Sequence, residues 1–100
     1  MSIVTSTSAD QKEVTIYVQG RFDFSLVQEF RNAYSDKSPH AIYTIDLAKT
    51  EYLDSSALGM LIHLWKFTGE NKNHVKIINS NEEIRKIFDI THFDKNFTIV

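Results

Sequence analysis

Asp54-Ser55-Ser56 sets a carboxylate and two hydroxyls directly before a largely apolar run, Ala57-Leu58-Gly59-Met60-Leu61. Oxygens of these types at a helix start can accept from the free N–H groups of the first turn, which is capping. A serine that must reach the surface can also be phosphorylated. A phosphate there meets the same N–H groups and the positive end of the helix dipole. On spacing alone capping is the commoner use of such residues, and the pair of serines is what raises the second possibility.

Other chemistry finds no complete constellation. Asp54 has no second carboxylate at helical spacing, so general-base or metal-ligand roles are poorly supplied. The histidines at 40, 63, 74 and 92 lack metal-ligand spacing. No Gly-x-Ser-x-Gly elbow surrounds Ser55, and no glycine-rich phosphate cradle exists. The reading is a protein that is not an enzyme, with no metal and no cofactor. No cysteine is present, which removes disulfides and thiol chemistry.

A net charge of -2 with scattered basic residues gives no electrostatic reason to expect nucleic acid. One hundred residues, 42% hydrophobic, with three glycines and one proline, predict one ordered domain spanning 1–100. Met1-Ser2-Ile3-Val4-Thr5 lacks the look of a signal peptide. The longest apolar candidate, Ala57 to Leu64, is too short to insert in a membrane and is broken by His63. A soluble, cytoplasmic protein is expected.

The pattern then predicts the elements that must position Ser55. Ile3-Val4 and Val14 to Val18 read as two strands of a hairpin, the second ended by Gly20. Ser25 with Gln28 forms a capping-box pattern opening a helix with Val27, Phe30 and Tyr34 inside, closed by Ser38-Pro39-His40. Ala41 to Leu47 is apolar enough for a central strand covered on both faces. A helix follows from Ser55 to Phe67, ending near Gly69. His74 to Ile78 is a strand, and Ser80 with Glu83 reads as a second capping box before Ile84, Ile87 and Phe88. Phe97 to Val100 reads as a last edge strand. The order β-β-α-β-α-β-α-β indicates an α/β fold: a mixed sheet of four to five strands with packed helices.

The helix after Asp54 carries two apolar stripes. Leu58, Leu61, Ile62 and Trp65 cluster on one side and are expected to dock on the sheet. Met60, Leu64 and Phe67 cluster on roughly the opposite side. Either a neighbouring helix, such as the one starting at Ser80, covers this second stripe, or it is an exposed partner patch beside Ser55.

Tyr52-Leu53-Asp54-Ser55-Ser56-Ala57-Leu58-Gly59 resembles the phosphorylation motif of STAS-domain anti-anti-sigma factors, Asp-Ser-Ser/Thr-Gly-Leu-Gly behind two apolar residues. Gly20-Arg21-Phe22-Asp23 matches that family's Gly-x-Leu/Phe-Asp, Ile45-Asp46-Leu47 resembles its strand leading into the switch loop, and Ile84 to Phe88 its late helix. Ala57 departs from the usual glycine, and the C-terminal helix of longer members is expected to be missing or very short.

The resemblance implies a STAS fold and a non-catalytic partner switch. Ser55 is then the phospho-acceptor, with Ser56 the runner-up. Asp23, Tyr52, Leu53, Asp54 and Ser56 would belong to the partner surface, joined by Met60, Leu64 and Phe67 on the reading in which their stripe is exposed. The implied partners are an anti-sigma factor or related serine-kinase regulator and a PP2C-type phosphatase, with the free chain a monomer. Two alternatives share the resemblance: a constitutive STAS subunit of a phospholipid ABC transporter, and a STAS switch controlling a biofilm or diguanylate-cyclase output.

Overall fold

The computed structural model describes residues 2–100. Five strands, β1 (Ile3–Thr7), β2 (Glu13–Phe22), β3 (Ile42–Leu53), β4 (Val75–Ile78) and β5 (Thr98–Ile99), form one sheet. Their spatial order is their chain order. β1 and β2 pair antiparallel and every later pair is parallel, so the sheet is mixed. The three helices are α1 (Val27–Asn32), α2 (Ser55–Phe67) and α3 (Glu82–Ile90). Each connects two adjacent parallel strands. Crossovers of one hand that advance steadily in one direction put every helix on the same face.

Burial follows from that layout. Ile16, Ile45 and Ile77 are register partners across three strands, and all three are completely buried under the helices. The alternate positions Tyr17, Thr44, Asp46 and Lys76 lie on the other face and are exposed or half-buried. This corrects the expectation for β3: it is a central strand covered on one face only. Tyr43, Ile45 and Leu47 are buried, but Ile42 is exposed.

The strand ends depart from simple alternation for a physical reason. β2 does not stop at Gly20, which takes φ +78, but runs on to Phe22. Its pairing with β3 shifts register twice, between Tyr17 and Gln19 and between Gly20 and Arg21, each time with an extra residue in β3. Bulges of this kind re-aim side chains. Here they turn Thr50 and Leu53 inward while Glu51 and Tyr52 face solvent. The Thr50 hydroxyl donates to the Val18 carbonyl at 2.7 Å, which satisfies it inside the sheet.

The helix caps differ from the expected boxes. Asp23, not Ser25, caps the turn before α1, and the Ser25 hydroxyl donates to that aspartate. Asn81, not Ser80, caps α3, accepting from the Ile84 N–H at 2.9 Å. α1 is only six residues long and ends before Ser38-Pro39; Phe30 and Tyr34 are buried but Val27 is exposed. Behind α3, Phe93 stacks between Phe88 and Phe97 at 5.5 and 5.0 Å and closes that end of the core.

Candidate partner-switch site

The site is built where β2 and β3 end together. Phe22 and Leu53 are register partners, both buried, so Asp23 and Asp54 emerge next to each other at the C-terminal ends of the two strands. The Asp54 N–H donates to the Phe22 carbonyl at 3.4 Å, which ties the two exits. Each aspartate then caps the helical segment it precedes. Asp54 accepts from the Ala57 N–H at 3.1 Å at the start of α2. Asp23 accepts from the Ser25 N–H at 3.0 Å.

Ser55 occupies the first position of α2 and is exposed; Ser56 is half-buried. Asp54 takes the Ala57 and Leu58 N–H groups through its side chain and carbonyl. Among the described residues, the N–H groups of Ser55 and Ser56 have no acceptor, so the first turn keeps free donors at the positive end of the dipole. Ala57, in place of the family's usual glycine, is fully buried.

Arg21 borders the site. Its guanidinium lies 3.5 Å from the Asp23 carboxylate and 4.2 Å from the centre of the Tyr52 ring. The pair is solvent-exposed and contributes little to stability, but it orients both side chains. The Ser25 hydroxyl and N–H hold the Asp23 carboxyl below the usual carboxylate range, with Arg21 a lesser cause. Phe24, next to Asp23, is 70% exposed, an apolar ring with no place in the core. Sequence reasoning missed it. Its signal was Phe22-Asp23-Phe24, in which a strand end followed by a capping aspartate leaves the second phenylalanine no inward position.

The expected partner-surface residues divide. Asp23, Tyr52, Asp54, Ser55 and Ser56 come together at these strand ends, and Leu53 is buried beneath them. Met60 and Leu64 do not belong to an exposed patch. Leu64 is 0% exposed and Met60 is buried, which corrects the expectation for both. Phe67 is half-buried against Tyr34, their rings 5.1 Å apart. The cover comes from α1, not from α3. The line that meets the sheet is Ala57, Leu61 and Leu64, midway between the two stripes, so Leu58, Ile62 and Trp65 are only half-buried.

A family model described as "Mlab, STAS domain" matches residues 5–100. The chain belongs to the STAS-domain family. It is 44% identical over 101 residues to a STAS-domain containing protein of Pseudomonas aeruginosa (strain UCBPP-PA14), covering 99% of each chain. It is 30% identical over 94 residues to the anti-sigma-B factor antagonist of Staphylococcus epidermidis, covering 91% of this STAS domain and 84% of that protein. The anti-sigma factor antagonist SpoIIAA in its unphosphorylated form shares the fold with a TM-score of 0.75 at 15% identity, over 98% of this chain and 86% of that one. A putative anti-sigma factor antagonist of Thermotoga maritima does so at 0.80 and 16%, over 97% and 84%. This STAS domain is therefore homologous to anti-sigma factor antagonists and has the SpoIIAA-like architecture. Among the described residues, no helix is long and apolar enough to cross a membrane.

Proposed function

We propose that this STAS domain is a phosphorylation-controlled partner switch of the anti-anti-sigma type, acting in the cytoplasm. Unphosphorylated, it binds an anti-sigma factor or related regulator with serine-kinase activity and frees that regulator's target. Phosphorylation of Ser55 ends the binding, and a PP2C-type phosphatase restores it.

The observation that carries this reading is the exposed Ser55 hydroxyl on the first turn of α2, with free N–H groups behind it and Asp23 and Asp54 beside it. A phosphate adds roughly -1.5 to -2 charge. The dipole and free donors accommodate that charge, so the fold persists. In a closed interface the same charge lies among carboxylates and must be desolvated, which opposes binding.

The partner surface in this reading combines Asp23, Phe24, Tyr52 and Ser55 with the outward line of α2 at Gly59 and Ile62. Gly59 supports it. A β-carbon built there meets nothing within 4 Å, so the fold has no steric need for glycine in mid-helix. A bare backbone four residues from Ser55 suits close approach by a partner.

The test is recovery of the native partner on the tagged chain, with and without ATP, followed by peptide mapping of the recovered STAS domain. Modification on Ser55, lost in Ser55→Ala, with partner release in ATP, is the expected result. Label that persists on Ser55→Ala, or lies mainly on Ser56, overturns the acceptor assignment. A constitutive STAS subunit that uses the same surface without phosphorylation is the second reading. A complex that is indifferent to ATP and to Ser55→Asp supports it.

A further inference from the structure

Length mismatch between the first two helices opens a cleft on the molecule's flank. α1 has six residues and α2 thirteen, about 9 Å against about 20 Å at 1.5 Å per residue. α1 therefore leaves part of α2 uncovered, and a cavity of about 350 Å³ remains between them. That volume lies at the small end of the range for organic-ligand sites.

Its lining is amphiphilic in an ordered way. The half-buried Phe67 and the exposed Val27 are its accessible apolar groups, and Phe30, Tyr34 and Met60 are buried beneath them, with Tyr34 centred 5.8 Å from Phe30 and 5.1 Å from Phe67. Arg31 from α1 and His63 from α2 are exposed polar groups on opposite walls, and the exposed Ser35 joins them at the end of α1. Among the described residues, no carboxylate lines the cavity. Arg31 also has no internal anion: the ion pairs among the described residues are Arg21 with Asp23 and Lys37 with Asp36. Glu29, the acid nearest to Arg31 on α1, instead accepts from the Ile3 N–H at 2.9 Å.

We propose that this cleft binds a small organic carboxylate with a flat apolar body. The guanidinium presents a planar fork of donors that matches a carboxylate. The imidazole offers an N–H donor in either protonation state. The half-buried Phe67 ring takes the body of the ligand by offset or edge-to-face contact. The charged head thus stays at the mouth, where it is partly hydrated, while the body displaces water from the half-buried Phe67 and the exposed Val27.

The probe is 3-phenylpropionate, titrated into the uniformly ¹⁵N-labelled full chain and followed by amide chemical shifts. Acetate carries the charge without the body, and 3-phenylpropanol the body without the charge. Saturable shifts confined to α1, residues 33–35 and the second half of α2 are expected for 3-phenylpropionate, with acetate failing to saturate. Arg31→Gln, an exposed position, is expected to keep the wild-type melting temperature and weaken 3-phenylpropionate at least fivefold. It should leave 3-phenylpropanol unchanged. Absence of saturable shifts, shifts centred on the open sheet face, or equal affinity in Arg31→Gln overturns the proposal. None of these outcomes depends on phosphorylation of Ser55, so the switch and the cleft stand or fall separately.

Discussion

Phe22 and Leu53 face each other in parallel register at the ends of β2 and β3, and that single pairing places Asp23 and Asp54 side by side. Each aspartate starts a helical segment, so one pair of strand ends organises two helix entrances, the exposed Phe24 and the exposed Ser55. The consequences can be measured.

The cap of α2 is the first. Asp54 is the residue whose side chain accepts from the Ala57 N–H. Asp54→Ala should therefore cost about 1 kcal/mol, the usual worth of an N-cap. Denaturant unfolding checks it. Asp54→Ser, which retains a capping oxygen, should recover most of the loss. If serine is no better than alanine, the carboxylate serves the surface and not the helix.

Gly59 separates stability from binding. Alanine at this exposed helical position meets no neighbour and should stabilise the domain by about 0.5–1 kcal/mol. On the proposed partner surface the same methyl should weaken binding. Melting and partner-affinity measurements on Gly59→Ala decide it. A variant that is more stable and binds as well as wild type removes α2's outward line from the interface.

Leu64 and Ile62 make a contrasting pair. Leu64 is fully buried, so Leu64→Ala should cost roughly 2–5 kcal/mol. Ile62 is only partly buried, and Ile62→Ala should cost clearly less while lowering partner affinity. Met60→Asp should unfold the domain, because it places a charge against the buried cluster under α1. A folded Met60→Asp protein would reinstate the stripe that contains it as surface.

Alkaline stability tests the packing of Tyr43. Burial first, then the Asp36 carboxylate and the neighbouring Tyr34, push its phenol up to about 12 from 10.0. With the folded value raised, its contribution is complete below pH 10. It is lost as pH rises from 10 through 12, where the unfolded tyrosine ionises and the native one does not. Tyr43→Phe also loses the 2.7 Å bond from its hydroxyl to the Ser38 carbonyl, worth about 1 kcal/mol at neutral pH. Denaturation at pH 7, 10 and 11 should show a shallower decline in the variant. Parallel declines would mean that Tyr34 and other groups carry the effect.

The sequence by itself determined the element order, the span of α2, and the juxtaposition of a carboxylate with two hydroxyls at its start. These are local matters of periodicity and capping chemistry, written in neighbouring residues. The family was legible for the same reason, since its motif is contiguous. The rotation of α2 was not legible. Two apolar stripes on one helix are equivalent until a short α1 covers Met60 and Phe67 and the sheet meets Ala57, Leu61 and Leu64. The capping serines were misread because Ser25 and Ser80 satisfy the spacing rule, whereas loop geometry gave the N–H groups to Asp23 and Asn81. Two bulges in β3 decided which of Tyr52 and Leu53 faces solvent. A bulge breaks the period of two on which any strand reading depends, so only the tertiary pairing with β2 could assign those faces.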